Sequence, residues 1–143
     1  MIPLSFCDPP ERALIMQKKG FTLVEIMVVV AIIAVLAAIA IPNLLRSRLT
    51  ANDAAARSNL KALSTASETF ASINIGNYPQ DMTSLTNLNP PYIPFDFCGS
   101  TVGGFTYACT FGIAGYTFTA TPATIGVSGT TTFTISTGGL LVP

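Results

Sequence analysis

The order of hydrophobic and polar positions changes character several times along the chain. Residues 1–20 are mixed, carry Pro3, Pro9 and Pro10, and end in Gln17-Lys18-Lys19-Gly20; nothing in them predicts a folded element. From Phe21 the composition shifts abruptly. Ile26 to Ile41 reads IMVVVAIIAVLAAIAI without a polar residue. With Phe21, Leu23, Val24, Leu44 and Leu45 it reaches the roughly 20 residues that an apolar helix needs to cross a bilayer. Beyond Pro42 the helical periodicity continues. Leu45, Leu49, Ala56, Leu60, Leu63, Phe70 and Ile73 recur at three- and four-residue steps or their sums, which leaves Arg46, Asn52, Asp53, Arg57, Lys61 and Glu68 for the other faces. The spacing predicts one amphipathic helix to about Asn74, with Asp53 and Arg57 as an i,i+4 pair and Gly76-Asn77-Tyr78-Pro79 as its stop. A helix from Phe21 to Asn74 would be about 80 Å long. Pro42 is expected to kink or locally unwind it, because proline lacks the backbone donor and crowds the preceding turn.

Residues 77–103 are rich in Pro, Asn, Gly and Ser and read as a long loop with at most a short helix around Met82–Leu88. The period then becomes two. Phe105-Tyr107, Tyr116-Phe118-Ala120 and Phe133-Ile135 alternate with Thr and Ser, as half-buried antiparallel strands do, and glycines at 112, 115, 126, 129, 138 and 139 mark turns. So few strands do not make a sandwich alone, but they can cover the apolar stripe of the helix. The fold class is therefore α+β: a long N-terminal helix with a small antiparallel sheet. The organisation expected is a mixed N-terminal segment over 1–20, an apolar helix long enough to cross a membrane over 21–45, an amphipathic helix over 46–76, a connecting loop over 77–103 and a sheet over 104–143. Met16-Gln17-Lys18-Lys19-Gly20 is a complete short leader by itself, so residues 1–15 are also open to reading as an over-extended start.

Composition narrows the function. The 143 residues suit one compact domain plus one long apolar element. Seven basic and seven acidic side chains cancel to zero, so no basic patch offers itself to a phosphate backbone. Histidine is absent, which removes the commonest general base and metal ligand. An enzyme is hard to build here, and no cofactor is expected. Lys18 and Lys19 would hold the N-terminal side of the apolar helix in the cytoplasm, an asymmetry that Arg46 and Arg48 weaken. With that orientation Cys98 and Cys109 share an oxidising compartment while Cys7 stays in the cytosol. A Cys98–Cys109 bridge would then contribute about 2–3 kcal/mol by loop entropy; two buried free thiols are the alternative.

The most informative segment is Lys18-Lys19-Gly20-Phe21-Thr22-Leu23-Val24-Glu25 and the apolar run behind it. It resembles the class III signal of type IV prepilins and type II secretion pseudopilins, with Pro42 in its family-typical place. Residues 46–79 also look like the exposed helix half of these proteins. The resemblance implies cleavage between Gly20 and Phe21 by a membrane aspartyl peptidase, and N-methylation of the new Phe21 amine by the same peptidase/methyltransferase. It implies that Glu25 attracts the amine of a neighbouring subunit and sets the axial stagger. An ionised acid inside an apolar helix costs about 2.5–3.5 kcal/mol on insertion scales, so it needs a partner or an interfacial position. Two local readings of Glu25 compete: Thr22-Leu23-Val24-Glu25 is a capping-box pattern, and a carboxylate near a helix N-terminus suits the macrodipole.

The resemblance further implies a structural subunit of a helical homopolymer, served by a platform membrane protein and a cytoplasmic ATPase. The chain would be a single-pass protein of the inner membrane, in contact with lipid, its head periplasmic or outside, and later a filament subunit that requires no nucleic acid. Within the same class stands a pseudopilin of type II secretion; a minor pilin with a binding head is a different class. An ordinary secretory signal cut after Ala38-Ile39-Ala40 is another reading of the apolar segment, as is a plain membrane anchor. Neither accounts for Glu25 or the Lys-Lys-Gly-Phe junction. Asp81 and Asp96 are weak candidates for calcium, with no metal site expected, and the aromatics have core-like spacing.

Overall fold

The computed structural model describes residues 20–143; the leader, Cys7, Lys18 and Lys19 lie outside the described residues. The chain divides after Ala37 into two units. Helix α1 runs from Leu23 to Ile73. In the first unit it is exposed along nearly its whole surface. An exposed apolar surface of that extent is the mark of a membrane or protein contact.

In the second unit α1 continues through Pro42, whose ring offers no N–H to the Ala38 carbonyl one turn back. Beyond it the helix acquires a buried stripe. Ala56, Leu60 and Leu63 are in the core, as the periodicity predicts, whereas Leu45 and Ile73 at the two ends of the predicted stripe are exposed. The connecting segment is fastened to the same core by Pro79, Met82, Leu85 and Ile93. It contains one short helix, α2 (Thr83–Thr86), and is therefore a packed surface loop.

Five strands follow: β1 (Thr101–Val102), β2 (Phe105–Gly112), β3 (Gly115–Pro122), β4 (Phe133–Ser136) and β5 (Leu140–Val142). They form one antiparallel sheet in chain order, a meander. β2 and β3 pair from Phe105↔Pro122 to Gly112↔Gly115, closed by Ile113-Ala114. The alternation decides which face meets the helix: Phe105 and Tyr107, Tyr116, Phe118 and Ala120, and Phe133 and Ile135 point inward and are buried. Thr106, Thr110, Thr117 and Thr121 take the outer face. Sequence periodicity located the three central strands. It missed the edges, because β1 and β5 are too short to show alternation, and β1 falls inside the segment read as loop. Gly103 and Gly104, at φ +60° and +81°, make the two-residue turn that joins β1 to β2.

Cys98 and Cys109, separated by 11 in sequence, are disulfide-bonded with Cα atoms 5.5 Å apart. The bridge ties the connecting segment to β2 and contributes about 3 kcal/mol through loop entropy. At the far end of α1 the Gly76 N–H donates to the Ala71 carbonyl (2.8 Å), the six-to-one bond of a Schellman cap. The left-handed residue inside that cap is Ile75, at φ +58°. Chains usually put glycine there. A residue with a Cβ gives up roughly 1–2 kcal/mol in that conformation.

Candidate assembly site

Gly20 and Phe21, the junction at which the sequence leads one to expect processing, begin the described residues. Gly20 is exposed, with open space where a Cβ would stand, and Phe21 is 79% exposed. The Thr22 hydroxyl accepts the Glu25 backbone N–H (3.2 Å), so Thr22 caps α1 and Glu25 sits in the first turn. This is one half of the capping box. Among the described residues no group donates to the Glu25 carboxylate. Behind it, Ile26 to Ile41 present aliphatic side chains outward, and the helix is long and apolar enough to cross a membrane. Pro42 closes this stretch.

Polar residues in the second half of α1 correct the sequence reading. Asp53 does not pair with Arg57 on an outer face; it is 8% exposed and turned toward the sheet. Its carboxylate accepts the Thr130 N–H (3.0 Å) and hydroxyl (2.6 Å). Asn52 beside it donates to the Ser128 carbonyl at 2.9 Å. Arg57 lies over the ring of Phe133, 4.6 Å from its centroid. Together these contacts clamp the β3–β4 loop, residues 123–132, onto the helix. Gly129 is required at its centre: a Cβ there would stand 2.3 Å from the Phe105 ring and 3.1 Å from Asp53.

Glu68, also expected on an outer face, binds the opposite end of the sheet. It accepts from the Gly138 N–H (2.8 Å), the Tyr116 hydroxyl (2.9 Å) and the Tyr78 hydroxyl (3.1 Å). Partial burial works to raise the Glu68 pKa, but the Gly138, Tyr116 and Tyr78 bonds outweigh it and hold the carboxyl below its ordinary 4.5. Tyr116 also shares a 2.7 Å hydrogen bond with Ser64; burial first, and the Glu68 carboxylate with it, pushes its phenol up to about 12.

The signs fix a stability plateau. A depressed acid contributes fully above its unfolded value and loses that contribution as the pH falls through its folded value. A raised phenol contributes fully below 10 and loses that contribution as the pH climbs toward 12. The urea midpoint of the full chain in detergent micelles is therefore expected to be flat between about 4.5 and 10 and to fall on both sides. Asp81, lowered by hydrogen bonds from Ser84 and Thr83, adds to the acid limb. Glu68→Gln should shallow that limb; an unchanged acid limb would contradict the assignment.

The weaker candidates have local employment. Asp81 accepts the Ser84 N–H (2.9 Å) and the hydroxyls of Thr83 (2.8 Å) and Ser84 (2.6 Å), and Asp96 accepts the Cys98 N–H (2.8 Å). Most of the aromatics pack in or against the core, with Tyr116 stacked on Phe118 and Phe97 edge-on to Tyr107, whereas Phe21 and Phe95 are exposed. Among the described residues no buried side-chain polar atom lacks a hydrogen-bond partner.

Comparison with known proteins agrees with this geometry. Residues 15–41 match the family described as the prokaryotic N-terminal methylation motif. The chain is 37% identical over 108 residues to the type IV wide pilus major component PilA4 of Thermus thermophilus, covering 73% of this chain and 82% of that protein. It is 52% identical over 56 residues to the type IV major pilin protein PilA of Myxococcus xanthus, covering 39% of this chain and 26% of that protein, so the match spans about a quarter of the relative's length. It is also 38% identical over 79 residues to type II secretion system core protein G of Escherichia coli, covering 54% of each chain. No solved structure matches. The chain belongs to the type IV pilin and pseudopilin family, whose members are structural subunits and not enzymes.

Proposed function

We propose that the chain is the precursor of a type IV pilus-like filament subunit. The observation that carries this reading is the Gly20–Phe21 junction, set at the mouth of an exposed apolar helix with Glu25 as its sole acid before Ile41. A membrane aspartyl peptidase cleaves after Gly20, and the new Phe21 amine is methylated. The helix over 21–45 first anchors the subunit in the inner membrane, with the Cys98–Cys109 head on the oxidising side. Assembly then moves the helix from lipid into a core of identical helices, so its apolar surface never meets water. Glu25 attracts the Phe21 amine of a neighbour and fixes the stagger. Pro42 loosens the helix where the apolar part gives way to the head. A platform membrane protein and an assembly ATPase drive the step.

Similarity over most of the Thermus major pilus component supports the pilus form of this reading, and similarity to core protein G keeps the secretion pseudopilus as a second form. Mass spectrometry of the exported chain tests the core of it. The expected mature protein begins at Phe21 with one added methyl group. A chain that begins after Ala40, or that retains Lys18-Lys19 when exported, refutes it. An adjacent outer-membrane secretin with exoprotein genes would favour the secretion form, and a retraction ATPase the pilus.

A further inference from the structure

Two aliphatic patches of the second unit face water and have no use in the reading above. One is the end of α1, where Ile73 is 66% and Ile75 96% exposed; with Phe70 and Tyr78 they line a groove. The other is the β3–β4 loop, where Ile125 is 74% and Val127 67% exposed. Both are held in place. Ile75 occupies the left-handed cap position that glycine would fill without strain, and an outlier of that kind points toward a function. Bonds from the Val127 and Ser128 N–H groups to the Thr124 carbonyl fold the loop into a tight turn, pinned beneath by Asn52 and Asp53.

We propose that these patches are the two halves of one contact between copies of this chain: the Ile125/Val127 loop of one subunit seats in the Ile73/Ile75 groove of a neighbour displaced along the helix axis. The inference rests on the filament reading and names the head surfaces that serve it. Neither side carries a charge, and the polar side chains that line the groove beside the apolar ones, Asn74, Asn77, Gln80 and Ser84, already donate to acceptors of their own segment. No Asp, Glu, Lys, Arg or His occurs from Phe97 to Pro143, and none lines the groove, so closing the contact strips water from no charge. The geometry requires a second copy. The loop is pinned at the level of Asn52, and the groove runs from Phe70 to beyond Ile73, 18 or more helix positions later and a rise of about 27–32 Å, so the two cannot meet within one head. An identical neighbour shifted by that rise brings them together. A contact between two different patches repeats without closing, which is the condition for a filament. Ile113, also exposed, is a poorer knob. Its hairpin is fixed at the groove's own level by the bonds of Tyr116 to Ser64 and Glu68, so an axial shift carries it past the groove.

The test is a cysteine pair in the full chain. Filaments sheared from cells expressing the double variant Ile75→Cys, Val127→Cys are expected to give a ladder of covalent multimers on a non-reducing gel after mild oxidation, and neither single variant should do so. A double variant that assembles but stays monomeric overturns the contact. So does a crosslink formed by Ile75→Cys alone, which would set like against like. Ile75→Gly supplies an independent reading if the double variant does not assemble. Relief of strain should raise the thermal unfolding temperature of the full chain in detergent micelles, while filament yield and heat resistance fall several-fold. Filaments as abundant and heat-resistant as the parent's overturn the proposal. A parent chain that forms no filaments at all overturns the filament reading and this contact with it, an outcome distinguishable from the others because it appears before any substitution.

Discussion

Replacing Glu25 by leucine is expected to leave the subunit processed and resident in the membrane but nearly absent from filaments. The helix start survives the change, because the bond that caps it runs from the residue-25 backbone N–H to the Thr22 hydroxyl, and leucine keeps that N–H. Two energies then move in the same direction. An acid in this helix opposes residence in lipid by about 2.5–3.5 kcal/mol, so its removal deepens the membrane well. The same change takes away the partner proposed for the neighbour's amine. The lipid term alone is worth roughly a hundredfold in the ratio of filament to membrane subunit. Immunoblots of sheared-filament and membrane fractions measure that ratio. Glu25→Gln, which keeps a polar group but no charge, should fall between leucine and the parent. Parental filament levels in the leucine variant would remove Glu25 from assembly and return it to a helix-terminal role.

What the sequence disclosed, and what it hid, follows from the kind of pattern each element writes. The apolar stretch was legible because its meaning lies in consecutive residues: sixteen positions from Ile26 to Ile41 without a polar side chain admit few readings. The central strands were legible from alternation at Phe105-Tyr107 and Tyr116-Phe118-Ala120. The edges β1 and β5, two and three residues long, carry no period to detect. Asp53 was misplaced for a different reason. Its position continues the row Leu49, Asp53, Ala56, Leu60, Leu63, so spacing assigns it to the buried face, but its polarity argued for solvent. Position deserved the greater weight, since a buried acid is admissible wherever the opposing element offers donors, as Thr130 does. Glu68 borders the same row and repeats the lesson with Tyr116, Tyr78 and Gly138. Ile75 had no signal at all, because Gly76 one position later is the residue that sequence rules would choose for the left-handed cap. On the helix that meets the sheet, the acids are fasteners: Asp53 holds the β3–β4 loop at one end and Glu68 the β4–β5 turn at the other.

Asp53→Ala is accordingly expected to cost about 2–4 kcal/mol. The carboxylate receives two hydrogen bonds from Thr130, each of the charge-assisted kind worth about 1.5–3 kcal/mol, and water reaching the exposed Thr130 recovers part of that sum. For a unit of this size the midpoint of thermal unfolding should drop by roughly 10 °C or more. Asp53→Asn keeps one acceptor oxygen and should lose about half as much. The damage has a place as well as a size. With Asp53 gone, the loop retains the Asn52–Ser128 bond but loses the fastening next to Gly129, where the backbone lies close against the Phe105 ring. Limited proteolysis of the full chain in detergent micelles should therefore cut first within residues 123–132, ahead of global unfolding. Because the same loop carries Ile125 and Val127, filaments of the variant should also shear into shorter pieces than the parent's. A midpoint within a degree or two of the parent, with the loop still resistant to protease, would show that the clamp is held by packing around Phe105 and Phe133 and that the Asp53 hydrogen bonds are incidental to it.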